Sequence, residues 1–189
     1  MKHHWRPAAI LCLCGALLFG AVSCGREQQG SDQSQQQEIK DVSVAEIERA
    51  VAEAYGENYI PSMEYSQEEL KSVFGVEPEL CQEFVAKGPM ISVHIDTFVA
   101  VKAQEGKAGE VQQALEAYKE KLLNETLQYP MNLPKIQAAQ IKTYGDYVFY
   151  LMLGMVDDPE IDTEEEQLQA FEEQNEIAVK AIEEVLYGI

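Results

Sequence analysis

The chain has 189 residues, 33 of them acidic and 14 basic, for a formal charge of −19 at pH 7. Nucleic-acid phosphates and anionic membrane surfaces both require clustered Lys and Arg, so this balance excludes each as an electrostatic partner. The length suits one domain of ordinary size with a real hydrophobic core.

The N-terminus has the layout of a secretory signal. The stretch "MKHHWR" is positively charged, "PAAILCLCGALLFGAV" supplies an apolar run of about fifteen residues, and the small residue Ser23 follows. A membrane-spanning helix needs roughly 20 apolar residues, which this run does not reach. Ala21, Val22, Ser23 and Cys24 resemble a bacterial lipobox. That resemblance implies cleavage before Cys24, acylation of its thiol with palmitate-type chains, and residence on the outer face of the cytoplasmic membrane. Two acyl chains at about 0.8 kcal/mol per buried CH₂ hold a protein on lipid essentially permanently. Cys12 and Cys14 leave with the signal, so Cys81 is the one thiol of the mature chain and no internal disulfide forms. Losing Lys2 and Arg6 with the leader moves the formal charge from −19 to −21.

Residues 1–23 are thus expected to be a signal peptide and 24–40 an acylated cysteine with a flexible tether. The tether is Gln, Ser, Gly and Glu with almost nothing apolar, so burial cannot offset its ordering entropy. Its r.m.s. span is roughly 20 to 25 Å. A single globular domain is expected over 41–189.

That domain opens with three predicted short helices. In "DVSVAEIERAVAEAYG", Ser43 and Glu46 form a capping box, Val44, Ile47, Val51 and Ala54 recur at helical spacing, and Gly56 is the stop. "SQEELKSVFG" repeats the pattern with Ser66, Glu69 and Gly75. "EPELCQEFVAKG" does so with Pro78 and Gly88, which places Cys81 on an apolar helical face as a buried thiol.

The periodicity then changes to two. In "ISVHIDTFVAVKA" Ile91, Val93, Ile95, Thr97, Val99 and Val101 share one face, the pattern of a half-buried strand. "KAGEVQQALEAYKEKLLNE" is a helix of about five turns, ended by Pro130 and Pro134 in "YPMNLP". "KIQAAQIKTYGDYVFYLMLG" reads as two strands joined by Gly145 and Asp146, with Thr143 opposite Val148, Ile141 opposite Tyr150 and Lys142 opposite Phe149. The second run is apolar on both faces and is therefore placed centrally. A capping box of Thr163 and Glu166 opens a final helix that packs on one sheet face. The expected fold class is α+β: a small, mostly antiparallel sheet in strand-helix-strand-strand order, split βαβ-like, with helices packed on it and three short helices ahead of it.

Chemistry-bearing residues are few. Ser92, His94 and Asp96 alternate onto one face of the predicted strand, but residues two apart on a strand are about 6.6 Å apart with parallel side chains, too far for a Ser–His hydrogen bond. No G-x-S-x-G elbow is present. Zinc sites take three or four ligands, usually several His or Cys, and the mature chain has one of each. The acidic run at 157–166 complements the helix dipole that follows and lacks the EF-hand spacing.

The strings "AYGENYIPSME", "GPMISVHIDTFVAVKA", "QYPMNLPKIQAAQI" and "GDYVFYLMLG", with the lipobox and the acidic last helix, are similar to a family of Gram-positive lipoproteins catalogued as domain of unknown function 4358. The resemblance spans roughly residues 44 to 187 and implies an envelope lipoprotein with no assigned activity. The expectation is a non-enzymatic module with no metal and no cofactor, held by membrane lipid through Cys24, that binds an envelope protein, a peptide or a small solute. His94, Asp96, Tyr129 and Asn132 are the expected contacts, and Tyr59, Tyr65, Tyr144 and Tyr147 are further aromatic candidates. The alternative is a hydrolase or metal-assisted enzyme centred on His94 and Asp96.

Overall fold

The computed structural model describes residues 38–91 and 93–189; the lipobox with Cys24, most of the tether, and Ser92 lie outside them. Three signals written into the local sequence produce the helices expected from them. α1 (Val44–Tyr55) starts where the Ser43 hydroxyl accepts from the Glu46 N–H and stops at Gly56. α2 (Gln67–Phe74) carries a full capping box of Ser66 and Glu69 and ends on left-handed Gly75. α5 (Glu164–Tyr187) carries the other, of Thr163 and Glu166. Each cap satisfies backbone N–H groups that a helix start otherwise leaves to solvent, at about 1 kcal/mol apiece.

The third predicted helix is instead a 3-10 turn, Pro78–Leu80, followed by strand β2 (Cys81–Gly88). Pro78 and Gly88 do punctuate this segment, but between them the long-range ladder to β3 (Thr97–Ala103) overrides the helical pattern, pairing Phe84 with Val101 and Ala86 with Val99. Cys81 therefore sits at a strand start, half-buried, and not on a helix. A further two-residue strand, β1 (Met63–Glu64), pairs with the end of β2.

β3 begins six residues later than its alternation suggested. Ile91 and Val93, expected on its apolar face, are 63 % and 67 % exposed in a loop. From Thr97 onward both faces of β3 are covered, with Val99 and Val101 in one core and Phe98 and Ala100 in the other. The chain then enters α3 (Ala108–Asn124), as expected. Beyond Pro130, a short helix, α4 (Leu133–Ala138), takes in Pro134 at its first turn and the start of the predicted hairpin strand. The strand proper is β4 (Gln140–Tyr144), joined through Gly145 and Asp146 to β5 (Tyr147–Met152). The register is the expected one, Thr143↔Val148, Lys142↔Phe149 and Ile141↔Tyr150. Gly145 has φ 57°, which a primed two-residue turn requires at its first position.

All five strands are antiparallel to their neighbours in the order β1-β2-β3-β5-β4. β5 lies between β3 and β4, the split arrangement expected, and all six of its residues are buried. α1 and α5 cover one face around Ile47, Phe149 and Ile182; α2, α3 and α4 cover the other around Phe74, Leu115 and Ile136. Fully burying each such side chain contributes about 1.5 to 3 kcal/mol, which is what holds helices of modest propensity in place.

The sheet gives the domain two poles. At one, Lys40 N–H donates to the Leu186 carbonyl at 2.8 Å, and the Tyr147 hydroxyl donates to the Val42 carbonyl at 2.7 Å beside the β4–β5 turn. The described chain enters there. At the other, roughly 20 Å away along six residues of strand, lie the end of β2, the start of β3, the end of β5 and the loop after α3.

Candidate functional site

Two clefts open at the second pole and share the His94–Ile95 segment. The segment is local in origin. His94 N–H donates to the Ile91 carbonyl at 3.1 Å in a turn, and the Thr97 hydroxyl donates to the Ile95 carbonyl at 3.0 Å, fixing the entry to β3.

The outer cleft, about 290 Å³, is lined by His94, Asp96 and Asn132, three of the residues expected as contacts. At its base Asp96 Oδ2 stands 2.7 Å from Lys135 Nζ, with 1 % and 8 % of the two side chains exposed. Lys135 Nζ also donates to the Gly154 carbonyl at 2.6 Å and lies 5.4 Å from the centre of the Phe171 ring. The residue just before β3, helix α4, the loop just after β5 and helix α5 thus each contribute one group to a single cluster around Lys135. Burial holds the Lys135 ammonium below the ordinary lysine range, and the Asp96 carboxylate offsets part of that shift. Neither Asp96 oxygen has a hydrogen-bond partner among the described residues, so Lys135 holds the carboxylate as an ion pair. No hydrogen bond joins Asp96 to His94 there either, so the carboxylate is engaged with a cation and not with the imidazole.

Tyr129, the fourth expected contact, stands at the start of a 3-10 turn, Pro130–Asn132, and is 71 % exposed. It does not line either cleft. Of the other tyrosine candidates, only Tyr65 lines one of these clefts. Tyr147 is 4 % exposed, Tyr59 and Tyr144 pack against the α1–α5 core, and Tyr65 packs against the opposite one. Their rings do what an aromatic does most often, filling volume at the end of a sheet.

The inner cleft, about 280 Å³, lies between α3 and the sheet, walled by Tyr65, Tyr118, Leu122, Ile136 and Met152, with His94 and Gln128 at its polar positions. Burial pushes the Tyr118 phenol up to about 12.

Three loops converge around these clefts, and they carry seven of the nine large hydrophobic residues that are exposed among the described residues: Met90, Ile91, Val93, Leu127, Tyr129, Met131 and Met155. Nothing local in the sequence marks Gly154 or Phe171 as part of the site, and Lys135 shows there as a lysine set between Pro134 and Ile136. Cys81, half-buried, has its thiol pushed up to about 11 by burial and by Glu79. Among the described residues, no group of three or more His, Cys, Asp or Glu side chains is placed to hold a metal ion, and no helix is long and apolar enough to cross a membrane. Cys24 lies outside them.

A family model described as a domain of unknown function matches residues 54–153, from the end of α1 to just past β5, a stretch that includes His94, Asp96, Tyr129, Asn132 and Lys135. No curated protein and no solved structure matches the chain.

Proposed function

The chain belongs to the family of domain of unknown function DUF4358, and from that premise, which names no activity, we propose that it is a lipid-anchored envelope protein that binds rather than catalyses. Cys24 holds it to the outer face of the cytoplasmic membrane through the lipobox, and the loop pole docks an apolar segment of another envelope protein. The observation that carries this reading is the gathering of Met90, Ile91, Val93, Leu127, Tyr129, Met131 and Met155 on three loops at one end of the sheet. Scattered single hydrophobes are ordinary, whereas a clustered set rimmed by polar groups marks an interaction surface. Asp157 lines the outer cleft, and Asp158 and Glu160 follow it, which favours basic residues flanking the partner's apolar segment.

The reading is tested by placing a photo-crosslinking residue at Tyr129 and, separately, at Asp146 beside the opposite turn, in intact cells. A discrete crosslinked envelope protein from Tyr129, absent from Asp146 and lost in Val93→Asp or Met131→Asp, is the expected result. Equal capture from both positions, or none from Tyr129, overturns it.

A further inference from the structure

We propose that the inner cleft is a separate binding site for a small uncharged molecule with a ring-sized apolar body and one hydrogen-bonding head. Its volume, about 280 Å³, is at the small end of ligand pockets, which run from roughly 300 to 1,000 Å³, and suits a single substituted ring better than a peptide. The lining decides the charge class. Asp, Glu, Lys and Arg make up 25 % of the chain, yet none of them lines this cleft. A charged ligand would lose its hydration there with no carboxylate, ammonium or guanidinium to meet it, whereas a neutral one loses little.

The walls are prepared for a ring. Tyr65, Phe74, Tyr118 and Tyr150 form a chain of edge-to-face contacts with centroids 5.0, 4.8 and 5.3 Å apart, so the two tyrosines facing the cleft are held from behind. Leu122, Ile136 and Met152 complete the apolar surface. Tyr65 takes its position because residue 88 is glycine: a Cβ there would lie 2.5 Å from the Tyr65 hydroxyl oxygen. Polar selection comes chiefly from two side chains, beside a Thr97 hydroxyl that is already donating to the Ile95 carbonyl. Gln128 gives one of its two amide N–H groups to the Thr126 hydroxyl at 2.7 Å, which leaves its carbonyl oxygen as an acceptor and the other N–H as a donor, and the His94 imidazole supplies a second polar contact. A fixed apolar cavity with a few polar groups binds with little reorganisation, so the ligand's ordering costs stay low.

The test uses the full chain in detergent with methionine methyl groups isotopically labelled, and p-cresol, benzoate and benzylammonium as probes, with free probe fixed by dialysis. The expected result is a saturable shift of the Met152 methyl signal with p-cresol, with both charged probes at least about tenfold weaker, the discrimination that one unpaired buried charge imposes. Gln128→Ala, a change in a loop, should weaken p-cresol several-fold, and Gly88→Ala should weaken it by displacing Tyr65. Met131→Asp, which lies on the outer cleft, should leave p-cresol binding unchanged, so that failure here and failure of the docking reading are told apart. Absence of a saturable Met152 shift, equal binding of the charged probes, or insensitivity to both Gln128→Ala and Gly88→Ala overturns the proposal.

Discussion

The ammonium of Lys135 and the carboxylate of Asp96 meet at 2.7 Å with almost none of either side chain left to solvent. Removing one partner of a buried pair strands the other charge, which typically costs about 3 to 5 kcal/mol, whereas neutralising both costs far less. Lys135→Met should therefore lower stability by roughly that amount. Asp96→Asn in the same chain should recover at least half of the loss. Urea titration of the three proteins, compared at constant m-value, measures both numbers.

Alkaline pH should unfold the domain cooperatively. Burial raises the phenol pKa of Tyr55, Tyr59, Tyr65, Tyr118, Tyr144 and Tyr150, in Tyr118 to about 12. A raised folded pKa contributes stability that is fully present below the unfolded value, about 10 for tyrosine, and is lost as pH rises through the folded values. Lys135 and Lys119 act with the opposite sign, because their lowered pKa values make the folded state the weaker proton binder as pH approaches 10.5. Two lysines oppose six tyrosines, so the loss prevails. In a Tyr129→Phe chain, which lacks the 71 % exposed phenol, most of the tyrosinate absorbance and the near-ultraviolet circular dichroism should change together above pH 10; most tyrosinate forming well before the dichroism changes would contradict this.

Cys81 should be a slow thiol. With its pKa raised to about 11, little thiolate exists near neutrality, and the half-buried sulfur is also partly shielded. Alkylation of the folded protein by iodoacetamide should run at least about tenfold slower than in urea, the higher intrinsic nucleophilicity of a high-pKa thiolate compensating only in part.

Two glycines should respond oppositely to alanine. Gly154 has φ 92°, its carbonyl holds Lys135, and an added Cβ would lie 2.5 Å from Gln174 Cβ. Gly154→Ala should cost about 1 to 3 kcal/mol from backbone strain alone. Gly109 lies in the first turn of α3 with open space around it, so Gly109→Ala should add about 0.4 to 1 kcal/mol by restricting the unfolded chain. Thermal unfolding of the two variants distinguishes the signs.

The anchor is tested on its own terms. Cys24→Ser should abolish signal cleavage at the lipobox and incorporation of labelled palmitate, read by mass shift and autoradiography of cell fractions. Wild-type processing and label in the variant would remove the lipoprotein reading.

The parts of the fold readable from sequence are those decided within a few residues. The caps at Ser66 and Thr163 and the hairpin at Gly145–Asp146 are set by local hydrogen bonds and φ, and the central place of β5 follows from an apolar run with no polar face. β2 was not readable, because Cys81–Gly88 carries both helix punctuation and enough polar residues to pass as a surface helix; only its ladder to β3 makes it a strand. The site was half readable. His94, Asp96 and Asn132 are indeed neighbours, but the group that engages Asp96 comes from α4, and no local pattern identifies a lysine that tertiary packing alone will bury.

The outer edges of the sheet bear on how densely such molecules can be crowded. β1 is two residues long, and β4, the other edge, is five residues with Lys142 in its middle. Beside β4, Lys119 donates to the carbonyls of Gln137 and Ala139 at 2.8 and 2.6 Å, occupying acceptors that an incoming strand would otherwise find just before the edge begins. On the β4 side, a short edge, a central lysine and occupied flanking carbonyls deny neighbouring copies a template for strand-to-strand growth. Mutual repulsion of the chains' negative charge works in the same direction wherever copies are crowded together.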